Sequence, residues 1–357
     1  MVTNILRSTI CVAEDREICE PSLKLLLLSL NKYSPGTVIN LFYPPAKGCF
    51  LSWINKRPQV RLQTSYLKSG YGWNVKPQAI MHLIDSGYDE VIWIDSDVIV
   101  RGNPIPMFAR LRSDTVAATE DALGDARDDR NALRARLWGF PVGRVLPFGL
   151  NTGVLRVTKD HYSLMEQWWE LLQSDGYQDV QKKEWRQRPT HMLGDQDVLT
   201  ALLTSKEFSE IPIYVLRRGK QIIQFDGVWG YTVAERMINL LGDGPLFIHQ
   251  FGHKPWSERW EHFDDLRDYV KKTYLDLSPY TLAARQFRSE LECDVEWMDP
   301  HYVPSKILRT LGMGQSTLVG LPLAVVLDLA RIVKWALRTL RRSELVGREK
   351  TVSAGGQ

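Results

Sequence analysis

The sequence lacks the features that mark several large classes of protein. Its four cysteines, at positions 11, 19, 49 and 293, show no C-x-x-C spacing, so neither a disulfide framework nor a zinc site is expected. A formal net charge of +3 over 357 residues gives no indication of wholesale nucleic-acid binding. The first residues lack the basic start and long apolar core of a secretory signal. We therefore expect reduced thiols, a cytoplasmic location and no nucleic-acid partner.

What the chain does contain is typical of a soluble α/β protein. Hydrophobic residues make up 44% and charged residues 24%, and the length allows one large domain with an extension. Strand and helix patterns alternate in the first half, which predicts a mostly parallel central sheet with flanking helices. Strands are predicted at 8–13, 38–43, 60–62, 91–100, 115–118, 148–157 and 211–216. Helices are predicted at 21–33, 76–86, 161–172 and 194–203.

Two carboxylates interrupt the most apolar predicted strand, Val-Ile-Trp-Ile-Asp-Ser-Asp-Val-Ile-Val at 91–100. In an extended segment, Asp95 and Asp97 point the same way. Two acids at the end of a buried strand are costly unless a cation or a hydrogen-bond network compensates them. A hard divalent metal that bridges to a diphosphate is one such compensation. The pair therefore suggests an enzyme that handles a nucleotide-linked donor. We also expect that removal of Asp97 relieves like-charge repulsion in the metal-free protein.

Three later segments add to this pair: Phe-Gly-Leu-Asn-Thr-Gly at 148–153, Gly-Asp-Gln-Asp at 194–197, and Phe-Ile-His-Gln-Phe-Gly-His-Lys-Pro-Trp at 247–256. With the Trp-Asn-Val-Lys-Pro segment at 73–77, their order and spacing resemble glycosyltransferase family 8. That group contains glycogenin, bacterial lipopolysaccharide galactosyltransferases and plant galacturonosyltransferases. The resemblance spans roughly residues 8–256. It implies a GT-A (nucleotide-diphospho-sugar transferase) fold, a nucleotide-diphosphate sugar as donor, manganese (or magnesium) as cofactor, and retention at the anomeric carbon.

The resemblance also implies a role for each matching residue. Asp95, Asp97 and His249 would hold the metal, and imidazole among carboxylates favours manganese. Asp195 and Gln196 would lie near the anomeric carbon as the catalytic pair, while Asp197 is interpreted as a helix N-terminal acid. The residues expected to bind the donor are Ala13, Glu14, Lys76, Asp95, Ser96, Asn151, Thr152, Gly153, Gly252 and Lys254.

One departure from the family pattern concerns the lysine of the last segment. The family spacing is H-x-x-G-x-x-K-P-W, and this chain is one residue shorter between Gly252 and Lys254. Lys254 is expected to neutralise the departing diphosphate, and His253 is a substitute donor if the lysine is out of reach. For retention, a carboxylate nucleophile at Asp195 and attack from the leaving-group face both remain open.

The C-terminal part of the chain suggests a second kind of contact. We place the catalytic domain at residues 1–275 and a helical extension at 276–357. Basic residues recur every three or four positions over 331–342, opposite an apolar arc, which predicts an amphipathic helix at about 318–342. This helix either lies in the plane of an anionic membrane surface or docks on the core with a solvated basic face. In the first case the enzyme is peripheral on the cytoplasmic face of a membrane, and truncation before Ser316 should release it.

In our main interpretation, the acceptor is a glycan or a lipid-linked molecule. Two alternative functions stay open at this stage. A nucleotidyltransferase shares this type of sheet, but the segment after the first strand, Cys-Val-Ala-Glu-Asp-Arg at 11–16, has no glycine for a phosphate loop. An inactive, membrane-associated nucleotide-sugar binding protein is the other alternative. The twelve tryptophans are mostly explained by ordinary packing, although their aromatic faces suit contacts with sugars.

Overall fold

A computed structural model gives the architecture of the protein. It describes residues 6–44, 46–63, 67, 72–121, 130–225, 230–240, 242, 244–257, 266–292, 295–300 and 302–333. The strands of the described residues are β1 (Ser8–Ala13), β2 (Ile39–Phe42), β3 (Val60–Gln63), β4 (Glu90–Ile94), β5 (Val98–Val100), β6 (Val116–Glu120), β7 (Leu150–Thr158), β8 (Ile213–Leu216), β9 (Ile222–Gln224) and β10 (Phe247–His249).

Helices cover the faces and the C-terminal side of these strands. They are α1 (Glu20–Tyr33), α2 (Gly48–Ile54), α3 (Lys76–Asp85), α4 (Ile105–Phe108), α5 (Arg130–Leu137), α6 (Tyr162–Gln173), α7 (Asp175–Gln181), α8 (Asp195–Thr204), α9 (Val233–Leu240), α10 (Leu266–Asp276), α11 (Pro279–Ala284), α12 (Val303–Leu311) and α13 (321–333). None of the helices within the described ranges combines the length and the apolar character needed to cross a membrane.

The strands form one large sheet and one small sheet. The seven-stranded sheet has the order β3-β2-β1-β4-β7-β6-β8. Its pairs are parallel except where β7 runs antiparallel to β4 and β6. The three-stranded sheet has the order β5-β10-β9. This mixed α/β arrangement confirms the predicted fold class, a mostly parallel central sheet with flanking helices.

The prediction of a single strand at 91–100 is wrong, because the structure has two strands in this segment. β4 ends at Ile94 and belongs to the large sheet, whereas β5 begins at Val98 and pairs with β10 in the small one. The backbone turns between them, with the Val98 amide donating to the Asp95 carbonyl at 3.1 Å. The reason is long-range pairing, since Val98–Val100 find their partners on β10 rather than along the line of β4. The two acids therefore share a tight turn between two sheets.

Successive side chains along β1 and β4 point to opposite faces of the large sheet, so the apolar core has two parts, one on each face. Ile10 and Ile92 face a cluster with the leucines of α1, and Cys11 and Trp93 face a second cluster with α3, α6 and α8. All four side chains are at most 1% exposed. Cys11, Cys19 and Cys49 carry free thiols, and Cys293 lies outside the described residues.

The segment after residue 275 also contributes to this core. Tyr280, Phe287 and Met298 belong to the same buried cluster as β1. In α13, Ala324 is buried, and Leu323 and Leu327 pack against the cluster. Residues 334–342 of the predicted amphipathic helix lie outside the described residues. The described part of this helix is thus docked on the protein along one side.

Candidate active site

The carboxyl ends of β1 and β4, the start of β7 and the end of β10 converge on one cavity of about 1110 Å³. Open α/β sheets bind ligands in this position, outside the ends of the strands. The cavity is lined by nearly all of the residues that the sequence predicted: Ala13, Glu14, Lys76, Asp95, Ser96, Asp97, Asn151, Thr152, Asp195, Gln196, His249, Gly252 and Lys254. The remaining one, Gly153, lies directly behind His249.

Three potential metal ligands meet at the turn between the two sheets. One ligand atom each from Asp95, Asp97 and His249 lies within 4.8 Å of the others. His249 Nε2 is 3.2 Å from Asp97 Oδ1, and His249 Nδ1 is a buried nitrogen that makes no hydrogen bond. Carboxylate oxygens with one imidazole suit manganese or magnesium. The donor set and the unsatisfied buried nitrogen therefore fit a divalent cation.

Gly153 provides the space for the imidazole of His249. A Cβ atom at this position would lie 2.5 Å from His249 Cε1 and 2.8 Å from Nδ1. The Gly153 carbonyl also accepts a hydrogen bond of 2.8 Å from the Asp95 amide. The glycine of the Asn-Thr-Gly segment thus contacts the candidate metal ligands, whereas its neighbours Asn151 and Thr152 face the cavity.

Each of the two acids already has an ammonium partner. Lys254 Nζ contacts Asp97 Oδ2 and donates to the Gln250 carbonyl at 2.5 Å, and Lys76 Nζ lies 3.2 Å from Asp95 Oδ1. Burial alone would raise the pKa of Asp97, but Lys254 and His249 hold it well below its usual value. The expectation that loss of Asp97 relieves like-charge repulsion is therefore wrong, because its loss would remove the carboxylate that Lys254 contacts.

Lys76 and Thr152 connect the metal side of the cavity to Asp195. Lys76 Nζ is 3.2 Å from Asp195 Oδ2 and donates to Thr152 Oγ1 at 2.8 Å, while the threonine hydroxyl donates to Asp195 Oδ2 at 2.8 Å. The Lys76 side chain is only 4% exposed. Burial would lower the pKa of Lys76, but Asp195 and Asp95 raise it overall, so the ammonium form is retained. For Asp195, burial raises the pKa and Lys76 opposes that shift.

The helix that carries the Asp-Gln pair is held by its own first turn. Asp197 accepts a hydrogen bond of 3.1 Å from the Gly194 amide and pairs with Arg134 Nη2 at 2.7 Å. This confirms Asp197 as an acid at the N-terminus of α8. Gln196 Oε1 accepts a hydrogen bond of 2.8 Å from Asn151 Nδ2. Asp195 and Gln196 are therefore presented to the cavity on a fixed helix end.

The opposite end of the cavity contains a clamped glutamate. Glu14 Oε1 accepts from Arg16 Nε at 2.8 Å, Glu14 Oε2 from Arg16 Nη2 at 2.9 Å, and Ser96 Oγ donates to Oε2 at 2.5 Å. Burial would raise the pKa of Glu14, but Arg16 and Ser96 lower it overall. Glu14 and Ser96 are thus brought together as predicted site residues, and Arg16 is a partner that the sequence did not single out.

Other residues that the sequence analysis missed lie next to the predicted ones. Trp93 Nε1 donates to Asp95 Oδ1 at 2.7 Å, and the signal was present, because residues i and i+2 of a strand share a face. Trp73 and Trp185 also line the cavity, and no local pattern distinguishes them from the other tryptophans. Lys254, and not His253, lines the cavity despite the shortened spacing.

One protein family and several solved structures are similar to the chain. Residues 62–234, just under half of the chain, match the family of nucleotide-diphospho-sugar transferases. No curated protein sequence matches the chain. Among solved structures, the chain is similar to the galactosyltransferase LgtC in complex with donor and acceptor sugar analogs, with 17% identity and a TM-score of 0.48 over 79% of this chain and 99% of that one.

Two further structures show the same level of similarity. The bifunctional glycosyltransferase WbbM has 14% identity and a TM-score of 0.47, over 71% of this chain and 47% of that one. The chain thus corresponds to about half the length of WbbM. Mouse xyloside xylosyltransferase 1 has 16% identity and a TM-score of 0.43, over 68% of this chain and 97% of that one. The matched segment includes the Asp-x-Asp turn and the Asp-Gln helix, and it supports a glycosyltransferase that is similar to the nucleotide-diphospho-sugar transferases, with a GT-A fold.

Proposed function

We propose that the protein transfers a sugar from a nucleotide-diphosphate donor to a glycan or lipid-linked acceptor, with a divalent cation and with retention at the anomeric carbon. The observation that carries this proposal is the convergence of Asp95, Asp97 and His249 within 4.8 Å. This cluster lines the same cavity as Asp195 and Gln196. A metal-dependent transferase needs both a site for the cation and polar residues that act on the sugar.

Asp95, Asp97 and His249 would hold manganese, or magnesium, in this site. When bound, the cation supplies Lewis-acid stabilisation to the diphosphate leaving group. The residues around it prepare the site in two ways. Trp93 fixes one oxygen of Asp95 through its indole N–H, and Gly153 leaves room for the His249 ring. Such partners of metal ligands affect metal affinity strongly.

Lys254 and Lys76 supply positive charge on either side of this cluster. Lys254 is 19% exposed and contacts Asp97, so its ammonium can turn toward a diphosphate in the cavity. Lys76 is buried between Asp95 and Asp195 and is held there. We assign stabilisation of the leaving diphosphate to Lys254 and orientation of the two acids to Lys76.

We assign to Asp195 the stabilisation of positive charge that develops at the anomeric carbon. One of its oxygens accepts from Thr152 and lies 3.2 Å from Lys76 Nζ, so that oxygen already has two partners. Gln196 cannot act as a carboxylate nucleophile. This arrangement supports attack from the leaving-group face over a covalent intermediate on Asp195, and both routes give retention.

A direct test is a screen of nucleotide sugars by thermal shift, with and without manganese. A ligand present at a hundred times its dissociation constant stabilises by about 2.7 kcal/mol. Donors that stabilise are then tested for hydrolysis and transfer, and the anomeric configuration of the product is read by NMR. Binding without any turnover would favour the alternative of an inactive nucleotide-sugar binding protein. Inversion would refute the retention part of the proposal alone.

We also propose that α13 attaches the enzyme to an anionic membrane surface, with the extension beginning near residue 276. Leu329, Ile332 and Val333 are 58–60% exposed on the side of α13 away from the core. The sequence places five basic residues, Arg331, Lys334, Arg338, Arg341 and Arg342, along the same predicted helix. An exposed apolar face bordered by basic residues is typical of interfacial helices.

The truncation suggested by the sequence, before Ser316, is a poor test of this attachment. Arg236, which is 1% exposed, donates from Nη1 to the carbonyls of Ser316, Thr317 and Val319 at 2.8, 3.1 and 3.2 Å. Removal of these carbonyls would leave Nη1 of a buried guanidinium without its three acceptors, with only the Nε bond to the Tyr231 carbonyl retained, which is destabilising.

The better variant is the double substitution Leu329→Ser and Ile332→Ser, compared with Val145→Ser, an exposed valine in a distant segment (64% exposed). Co-sedimentation with anionic and neutral vesicles is measured at low and high salt. The proposal expects that the double variant loses vesicle binding and that Val145→Ser retains it. Equal sedimentation of all three proteins would rule out α13 as the anchor without affecting the catalytic proposal.

A further inference from the structure

Two tryptophans face the cavity with much of their surface exposed. Trp73 and Trp185 are each 46% exposed, and both line the cavity that contains Asp195 and Gln196. Other large hydrophobic side chains are exposed too, but among the described residues only these two of them line the cavity. An exposed indole in a cavity leaves apolar area in water, and a ligand that packs on it would remove that area from water.

Trp73 is fixed by the hydrogen bonds of its two neighbours. It lies in the 3-10 turn Gly72–Val75, and the Gly72 amide donates to Asp15 Oδ2 at 2.9 Å. On the other side of Trp73, Asn74 Oδ1 accepts from the hydroxyl of Tyr177 at 2.9 Å, and Tyr177 is fully buried. The turn that carries Trp73 is thereby held at both ends.

Trp185 is fixed by a different set of contacts. It begins the 3-10 turn Trp185–Gln187, and the guanidinium carbon of Arg188 lies 5.7 Å from its ring centroid. Arg188 itself donates to the Gln181 side chain at 2.7 Å and to the carbonyls of Gln181, Lys183 and Leu193 at 2.8, 3.0 and 3.1 Å. A guanidinium bound four times cannot move far, so the indole beside it is held in place.

We propose that Trp73 and Trp185 form an aromatic platform that binds a sugar ring of the acceptor. The cavity, at about 1110 Å³, exceeds the usual range for a site that holds one small ligand, roughly 300–1,000 Å³, and so has room for a second substrate. A pyranose has an apolar C–H face and a polar rim, and a rigid indole provides matching apolar area at low entropic cost. The acceptor class is therefore a saccharide, in solution or at the end of a lipid-linked glycan, and the proposal rests on the proposed glycosyl transfer.

The binding test uses the full chain labelled with 5-fluorotryptophan and observed by fluorine NMR. Trp73→Phe and Trp185→Phe assign the two resonances. Trp138→Phe assigns a control, since Trp138 packs edge-on against His191 with ring centroids 5.4 Å apart and does not line the cavity. The probes are methyl glucosides, galactosides and mannosides of both anomers, with sorbitol as an acyclic polyol and with UDP and GDP alone.

Saturable shifts of the Trp73 and Trp185 resonances with at least one glycoside, and none with sorbitol or at Trp138, are the expected result. Shifts with UDP or GDP but with no glycoside would assign the platform to the nucleotide and overturn the proposal. Absence of glycoside shifts up to the solubility limit would overturn it as well. This measurement detects binding and needs no turnover. Failure of the acceptor platform can therefore be distinguished from failure of the proposed activity.

A kinetic test follows once a donor is known. Trp185→Ala should raise the KM for the acceptor about tenfold, which is the size expected for one lost aromatic contact. The KM for the donor should change much less. An effect on the donor KM as large as that on the acceptor KM would contradict an acceptor platform.

Discussion

The substitution Gly153→Ala tests the metal site through a residue that binds nothing itself. The added Cβ would lie 2.5 Å from His249 Cε1, 2.8 Å from its Nδ1 and 2.9 Å from Asn151 Oδ1. Ordinary contacts of this kind need about 1 Å more, and overpacking of a buried site costs roughly 1–3 kcal/mol. His249 is 2% exposed, so the ring can move only by leaving its position next to Asp97.

We therefore expect Gly153→Ala to fold with reduced stability and to bind manganese about 10–100-fold more weakly, the range for loss of a residue that positions a metal ligand. Isothermal titration calorimetry with Mn²⁺ measures the affinity, and urea denaturation measures the stability. Gly149→Ala is the matched control, because its Cβ would meet Asp121 at an ordinary 3.5 Å. Wild-type manganese affinity in a folded Gly153→Ala protein would refute His249 as a ligand.

Three further outcomes are expected. His249→Ala should weaken manganese binding, whereas Lys254→Ala should mainly lower kcat through lost stabilisation of the departing diphosphate; an unchanged kcat in Lys254→Ala would contradict its role. Thr152→Val removes the hydroxyl between Lys76 and Asp195 and should lower kcat at least tenfold with little change in manganese affinity, measured by calorimetry. Because burial raises the pKa of Asp197 from 3.8 to about 6, against the effect of Arg134, the folded state holds this proton more tightly than the unfolded chain. Its contribution to stability is then present near pH 4 and is lost as the pH rises to about 6. Asp197→Asn should remove that part of the pH dependence of the free energy of unfolding, which amounts to about 3 kcal/mol at 1.36 kcal/mol per pKa unit. Urea unfolding between pH 4 and pH 7 measures it. An unchanged dependence of the unfolding free energy on pH would contradict the pKa shift.

The elements with strong local signals were predictable from the sequence. β1 matches its predicted range of 8–13, and α1 and α3 begin and end within one residue of their predictions. The apolar run at 91–100 has no local break, so only the pairing of Val98–Val100 with β10, some 150 residues later, reveals the turn at Asp95–Asp97. This pairing joins residues that are far apart in the chain, and the periodicity of hydrophobic residues does not reveal it.

The candidate site shows the same division. Asp95, Asp97, His249 and the Asp-Gln pair are carried by short motifs, and all of them line the cavity. Lys254 and Lys76 also belong to the motif segments, but the motifs do not indicate which acid each lysine contacts. Lys254 on Asp97 and Lys76 on Asp195 join segments more than a hundred residues apart, and this pairing reverses the expected effect of removing Asp97. Charge compensation within a site depends on which distant side chains fill it.

The turn at Asp95–Asp97 has a mechanical consequence, since it is the point where the large sheet passes into the small one. Asp95 follows β4 of the large sheet and its amide is bonded to β7, whereas Asp97 precedes β5 and His249 ends β10 of the small sheet. A cation shared by these three residues would act as a reversible cross-link between the two sheets, at one of the places where the backbone passes from one to the other. Hydrogen exchange at the amides of Val98–Val100 and Phe247–His249 should then slow when manganese is added without any donor.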